Sequence, residues 1–335
     1  MLKIGVLGLG HLGKIHVKCI QMIDQYELVG LFDVDQKLTS KIATEQNVQA
    51  FESVEALIEA VDVVDIVTPT ITHFELAKKV VAAGKHFFIE KPITHTLQEA
   101  QELCALVQNQ PIKAQVGHVE RFNPALLAIE DKNLNPMFVE AHRLALFNPR
   151  GTDVSVVLDL MIHDLDIILK LIPHEVHSVQ ASGVAIVSSS ADIANARIEF
   201  KNGAIVNITA SRISMKNMRK LRVFQSDAYL SLDFLNKQTE VVRIHEQIPT
   251  GKDNCMELDT SIGKRYIELD MPEAKPNNAI KMELESFANS ILSNQPTKVA
   301  LEDGLKALQL AYWIMQEIEH HQNRITTNQN QHKLF

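Results

Sequence analysis

Three glycines within six residues, Gly8-Leu9-Gly10-His11-Leu12-Gly13, separate a short apolar run (Lys3 to Leu7) from an amphipathic stretch (Leu12 to Met22). Few folds begin with that punctuation. The first glycine allows a tight turn out of a strand, the second lets the backbone approach a pyrophosphate, and the third lets a helix pack closely on the strand, with the helix N-terminus attracting the anion. Gly8, Gly10 and Gly13, with His11 and Leu12 between them, therefore read as a dinucleotide-binding turn; the alternative is a turn whose glycines serve packing alone. Asp33 follows at the end of a second strand, Glu27 to Phe32, where a carboxylate takes ribose hydroxyls. Its charge repels a 2′-phosphate, and Val34-Asp35-Gln36 offers no arginine to receive one, so NAD is favoured over NADP as cofactor.

From Leu2 to about Gln115, short apolar runs alternate with amphipathic stretches, the pattern of parallel strands joined by helical crossovers. Strands are expected over Lys3 to Leu7, Glu27 to Phe32, Val63 to Thr68, His86 to Ile89 and Lys113 to Gly117. Helices are expected over Leu12 to Met22, Lys37 to Glu45, Val54 to Ala60, His73 to Ala83 and Leu97 to Gln108, the fourth closed by Gly84. Right-handed crossovers make this an N-terminal Rossmann domain with a doubly wound parallel sheet. After Pro124 the segments turn β-rich: Phe138 to Leu146, Glu175 to Val184, Ile193 to Phe200, Ala204 to Ile213, Leu221 to Phe224, Tyr229 to Phe234, Val241 to His245 and Tyr266 to Leu269. Asn202-Gly203 reads as a type I′ hairpin turn. The expected fold class is thus α/β, the second half being an α/β domain with an open, largely antiparallel sheet. Helices over Val156 to Leu171, Asn277 to Leu292 and Leu301 to His320 would cover one face, leaving the other for solvent or for assembly into a homodimer or homotetramer. The expected boundaries are 1–120 for the NAD-binding domain, 121–322 for the substrate-binding and oligomerisation domain, and 323–335 for a polar, frayed tail.

Charge and cysteine usage narrow the partners. With 41 acidic against 33 basic residues the net charge is −8 at pH 7, which argues against binding a nucleic acid polymer. No apolar run reaches the ~18 residues of a membrane span. Cys19, Cys104 and Cys255 lie far apart with no C-x-x-C pair, as expected of reduced thiols in the cytoplasm, and the apolar Met1 to Gly13 reads as a first strand, not a signal sequence. His174-Glu175-Val176-His177 lacks the helical spacing of a zinc motif, so no metal is expected, and His320-His321 complement a helix dipole. Small molecules and further copies of the chain remain as partners.

Two turns, Thr68-Pro69-Thr70-Ile71-Thr72-His73 and Glu90-Lys91-Pro92, begin at the carboxyl ends of apolar strands, where ligands bind in an open α/β sheet. Thr68, Pro69, Thr70, His73, Glu90, Lys91 and Pro92 are candidate cofactor contacts; Thr72 alternatively caps the next helix. Lys91, directly after a buried strand and beside a carboxylate, is placed like a tuned lysine, the alternative being a surface turn lysine. In Asp159-Leu160-Met161-Ile162-His163-Asp164-Leu165-Asp166, positions four apart share a helix face, so Asp159 and His163 form a candidate acid/base pair; the alternative is a satisfied histidine. Arg121 and Asn123 leave the last Rossmann strand and are candidate substrate contacts, although Asn123-Pro124 also reads as an N-cap followed by the first helical residue. Arg212, Lys216, Arg219, Lys220 and Arg222 crowd eleven positions, as a diphosphate site or as a solvated hairpin.

The glycine turn, the stretch VDIVTPTITHFELAKKVVAAGKHFFIEKPI ending at Ile93, and the DLMIHDLD helix, in that order and spacing, resemble the Gfo/Idh/MocA family of NAD(P)-dependent oxidoreductases over nearly the whole chain. The resemblance implies association through the open sheet and substrate bound in a cleft between the domains. It implies that Lys91 and His163 flank the nicotinamide and the substrate carbinol, with Asp159 nearby, making Lys91, His163 and Asp159 the catalytic candidates and adding them to the substrate contacts. GHVERFNPA (Gly117 to Ala125) and DVSVVLDLMIHDLDI (Asp153 to Ile167) look like the branch that contains UDP-N-acetylglucosamine 3-dehydrogenases, while Arg150-Gly151-Thr152-Asp153-Val154-Ser155 stands where many relatives carry a glycine-rich stretch. The expected activity is transfer of a hydride from a secondary alcohol of a sugar or nucleotide sugar to NAD. His163 takes the proton and Lys91 stabilises the alkoxide, or the two exchange roles. Two other readings are a dehydrogenase of free sugars, inositols or small polyols, and a non-catalytic dinucleotide-binding sensor.

Overall fold

Strands sandwiched between helix layers must be apolar on both faces, and Val63–Ile66 and Ala114–Gly117 are buried at every residue. The computed structural model describes residues 1–148, 154–249, 255–261 and 263–332, with side chains of the last helix described to Arg324. Arg150, Gly151, Thr152 and Asp153 of the expected departure, and the last three residues of the expected tail, lie outside the described residues.

In chain order the elements are β1 (Leu2–Leu7), α1 (His11–Ile20), β2 (Tyr26–Phe32), α2 (Gln36–Gln46), β3 (Gln49–Ala50), α3 (Val54–Ala60), β4 (Val63–Ile66), α4 (His73–Ala82), β5 (His86–Glu90), α5 (Leu97–Val107), β6 (Ala114–Gly117), α6 (Pro124–Leu127) and β7 (Phe138–Leu144). A π-helical turn, Val157–Met161, leads into α7 (Ile162–Leu171). Then come β8 (Val176–Val184), β9 (Ile193–Phe200), β10 (Ile205–Ser211), β11 (Met218–Phe224), β12 (Ala228–Asp233), β13 (Gln238–His245), β14 (Met256–Thr260), β15 (Gly263–Asp270), α8 (Ala279–Leu292) and α9 (Leu301–His332).

The first sheet has the order β3-β2-β1-β4-β5-β6 with every pair parallel, the doubly wound arrangement that turns at β1. Gly84 (φ +68°) follows α4 in the left-handed conformation, and the bonds Gly84 N to Val81 O and Lys85 N to Val80 O complete a Schellman cap. Helix α5 opens on a capping box between Thr96 and Glu99.

Two compact units result, one of Met1–Phe122 with Asn278–Gln309, the other of Asn123–Asn277 with Leu310–Phe335. Residues 278–309, expected in the second domain, therefore belong with the first. Leu284, Phe287 and Ala288 of α8 are wholly buried in the core of Ile4, Val17 and Phe88, so α8 covers the Rossmann sheet and not the antiparallel one. Gln115 Nε2 donates to the Glu283 carbonyl at 3.1 Å inside this packing.

The second unit holds a nine-stranded sheet, β14-β15-β13-β12-β11-β7-β10-β9-β8, antiparallel except for the β7–β10 pair. Along β7, β10 and β12 buried and less buried residues alternate, as in a sheet covered on one face. Ile167 and Ile168 of α7 and Ala311 and Ile314 of α9 fill that face. The β9–β10 hairpin is present, but only Gly203 (φ +86°) has positive φ. The bond Gly203 N to Phe200 O makes a turn closed by a left-handed glycine, so the turn is not type I′. Helix α9 continues through the polar residues expected to fray, since no glycine or proline interrupts 321–332. Among the described residues, no helix is long and apolar enough to cross a membrane.

Candidate functional site

The glycine turn has the backbone that its spacing demands. Gly8 has φ +97°, and a Cβ there would lie 2.6 Å from the Val67 carbonyl oxygen; one on Gly13 would lie 2.0 Å from that of Gly8. A Cβ on Gly10 would meet nothing within 4 Å, so internal packing does not require that glycine, whereas a ligand approaching the backbone does. Gly10 is the N-cap of α1 and carries no side chain to cap it, which leaves the first-turn N–H groups to an anion. The Asp33 carboxylate accepts from Leu9 N at 2.7 Å and from Asp35 N at 3.0 Å, which fixes it at the end of β2 beside the turn. These residues fit a dinucleotide: a glycine turn open at Gly10, a helix N-terminus with no side-chain cap, and an anchored carboxylate.

The other two turns are braced from within. His73 is buried, its Nε2 2.9 Å from the Thr68 carbonyl and its Nδ1 3.0 Å from the Pro92 carbonyl. Burial lowers its pKa, and its ring lies between the Thr68-Pro69 turn and the Lys91-Pro92 turn. His73 is therefore placed to brace the two turns against each other. The Thr72 side chain makes no capping bond to α4; its hydroxyl donates to the Pro69 carbonyl and pairs with the Thr68 hydroxyl, both at 2.8 Å. Glu90 also turns inward, its Oε2 accepting from Lys91 N at 3.1 Å and its Oε1 lying 3.2 Å from His16 Nε2. Lys91 is half-buried at the carboxyl end of β5, followed by Pro92.

His16 and Asp65 were missed from the sequence, although a signal existed. Gly13, His16, Val17 and Ile20 share the buried face of α1, and Asp65 interrupts an otherwise apolar parallel strand, where a charge needs a partner. Their bond, His16 Nδ1 to Asp65 Oδ2, is 2.9 Å.

In the second unit Asp159 lies within the π turn and His163 in the first turn of α7, both half-buried. An unbroken α-helix over Val156 to Leu171 was expected, but a 3.6-residue pattern does not distinguish a π turn, a feature frequent at functional sites. Next to His163, Asp164 receives Arg143 Nε at 2.7 Å and Nη2 at 2.9 Å. Asp192 is buried and accepts from the backbone N–H groups of Ile186, Val187 and Ser188 and from Ser188 Oγ. Burial alone would raise its pKa; these bonds hold it well below the ordinary aspartate range.

Three basic or polar candidates are buried and make contacts within the protein. Asn123 is buried and caps α6, its Oδ1 accepting from Ala125 N at 3.0 Å and its Nδ2 donating to the Phe234 carbonyl at 3.0 Å. Arg121 is 5% exposed, its Nη2 3.7 Å from Asp303 Oδ1. Arg212, also 5% exposed, donates to the Val154 carbonyl and lies 3.8 Å from Asp192, so it does not belong to a surface diphosphate site. Arg222 and Lys220 are on β11, facing Glu140 and Asp233 at 3.5 Å. Among the described residues, no group of three or more His, Cys, Asp or Glu side chains is arranged to hold a metal.

Residues 2–118 match the model of an oxidoreductase family with an NAD-binding Rossmann fold, and residues 139–231 match the GFO/IDH/MocA C-terminal domain. The chain is 37% identical over 296 residues, 88% of its length and 90% of the relative's, to the UDP-N-acetylglucosamine 3-dehydrogenase of Acidithiobacillus ferrooxidans. A solved structure of that enzyme superposes with a TM-score of 0.86 at 34% identity, covering 95% of this chain and 98% of the other. The myo-inositol 2-dehydrogenase of Thermotoga maritima is 27% identical over 337 residues, covering 95% of this chain and 96% of that enzyme. On both halves of its sequence, and with the glycine turn built as a dinucleotide site, the chain belongs to the Gfo/Idh/MocA family of NAD-binding oxidoreductases.

Proposed function

We propose that the protein oxidises a secondary alcohol on the sugar ring of a UDP-N-acetylhexosamine, with NAD as acceptor. The observation that carries this reading is Lys91, a cation set at the carboxyl end of β5 in the same parallel sheet as the glycine turn after β1, the end at which such sheets bind ligands. Similarity to a UDP-N-acetylglucosamine 3-dehydrogenase supports a nucleotide sugar. Bound NAD supplies the hydride acceptor. The turn from Gly8 to Gly13 holds the pyrophosphate, and Asp33 takes the ribose hydroxyls and repels a 2′-phosphate, which favours NAD over NADP. His163 accepts the hydroxyl proton on a ring nitrogen while the C–H electron pair leaves as hydride and the C–O bond becomes a carbonyl. The Lys91 ammonium stabilises the developing alkoxide, and Asp159 orients the imidazole. The open face of the second sheet, where Phe138, Phe224 and Tyr229 cluster and Ile244 and Leu269 are exposed, supports assembly through that face. Three free cysteines support the cytoplasm.

A free inositol or polyol is the second reading, favoured by the burial of Arg212, which removes one candidate for holding a diphosphate. The test is reduced-nicotinamide absorbance on adding UDP-N-acetylglucosamine, UDP-N-acetylgalactosamine, myo-inositol or glucose to protein and NAD. Only the nucleotide sugars should give turnover, with Lys91→Met and His163→Ala each losing about 10²-fold or more. Near-normal turnover in both variants overturns the assignment.

A further inference from the structure

His16 is fully buried between two carboxylates of the first unit, its Nδ1 2.9 Å from Asp65 Oδ2 and its Nε2 3.2 Å from Glu90 Oε1. A neutral imidazole has one N–H, so two ring nitrogens facing two carboxylates call for the doubly protonated ring. Burial pulls the His16 pKa down, but the charge and hydrogen bond of Asp65 and then those of Glu90 raise it well above the ordinary histidine value. Phe88 packs edge to face on the ring, with centroids 5.7 Å apart, and fixes its plane. On the far side, Glu90 passes the contact on, its Oε2 accepting from Lys91 N. Gly117 leaves room for this, since a Cβ there would lie 2.8 Å from Glu90 Oε1.

Three elements meet at this ring: α1, whose N-terminus belongs to the glycine turn, β4 with Asp65, and β5 with Glu90 and Lys91 after it. We propose that His16, hydrogen-bonded to Asp65 through Nδ1 and facing the Glu90 carboxylate with Nε2 at an ion-pair distance of 3.2 Å, is a positioning residue that fixes the Glu90-Lys91-Pro92 turn relative to α1 and so sets where the Lys91 ammonium stands. This role rests on the proposed action of Lys91 in the oxidation. His16 itself is too deeply buried to touch a ligand.

Two measurements test it. Nitrogen NMR of the intact protein labelled at histidine should show the His16 ring with both nitrogens protonated at neutral pH; a singly protonated ring overturns the bridge whatever the variants do. In kinetics with NAD and UDP-N-acetylglucosamine, His16→Gln should lower kcat by about 10²-fold, because an error of about 1 Å in a catalytic group costs that much. KM for the sugar and the affinity for NAD should change little, and Glu90→Gln added to His16→Gln should cost little more, since the two act through one contact. A role in stability alone would lower Tm while kcat of the folded enzyme stays within about twofold, and that result overturns the proposal. If His16→Gln does not fold, Glu90→Gln alone must show the same kcat loss. Lys91→Met is the reference: if it keeps turnover, the lysine assignment fails; if it loses turnover while His16→Gln and Glu90→Gln keep theirs, only the bridge fails.

Discussion

Arg143 on β7 and Asp164 on α7 form a two-pronged ion pair with side-chain exposures of 3% and 2%, at 2.7 and 2.9 Å. The pair pins the first turn of α7, and so His163, to the centre of the second sheet. Arg143→Met keeps the bulk of the side chain but strips a buried carboxylate of its strongest partner. Removing one member of a buried pair costs about 3–5 kcal/mol. For a unit of about 150–250 residues each kcal/mol moves Tm by about 2–4 °C, so the expected fall is about 6–20 °C. Replacing both members, Arg143→Met with Asp164→Leu, removes the stranded charge and should recover most of that fall. Circular-dichroism melts of the wild type, both single variants and the double variant make the comparison. A single variant within about 1 kcal/mol of wild type, or a double variant no better than Arg143→Met, would refute the reasoning.

Gly13→Ala places a Cβ 2.0 Å from the Gly8 carbonyl oxygen, so α1 must move from β1, and the Kd for NAD by calorimetry should weaken about 10²-fold; unchanged affinity contradicts the packing role. Asp33→Ser with Val34→Arg should raise the NADP-to-NAD affinity ratio by about tenfold or more, because a repulsion is removed and a partner for the 2′-phosphate added; a constant ratio speaks against Asp33 as the discriminator. Asp192 has a depressed pKa in the folded state, so its stabilisation is present above the unfolded value and lost as pH falls through and below it toward the folded one. Asp192→Asn should therefore lower Tm at neutral pH, and the gap should narrow below about pH 4 in melts across an acid series.

Wherever local chemistry decides the conformation, the residues announce it. Gly8, Gly13 and Gly84 stand at positions whose backbone or close approach no other residue fits, and the alternation of apolar runs matches the parallel sheet strand for strand, except for the two-residue β3. What stayed hidden depends on distant partners. The apolar stripe of α8 shows that it must be buried, and only the tertiary structure shows that Leu284 and Phe287 meet Ile4 and Phe88 instead of the second sheet. Strand β14 is exposed over most of its length and lacks the buried alternation by which a strand is read. Polar candidates divide in the same way. Asn123 and Arg121 have residue types suited to a ligand and a position at the end of β6, yet their hydrogen-bonding groups face Phe234 and Asp303. His16 lies one helical turn beyond the glycine motif, and its importance emerges only when β4 and β5 bring Asp65 and Glu90 to its two nitrogens.

The proposed reaction is tested most directly by incubating the protein with NAD and UDP-N-acetylglucosamine, following reduced-nicotinamide absorbance and taking the mass of the sugar product. One equivalent of reduced nicotinamide should form for each nucleotide sugar that loses two hydrogens. Tight NAD binding with no reduction on any UDP-N-acetylhexosamine would contradict the proposed function.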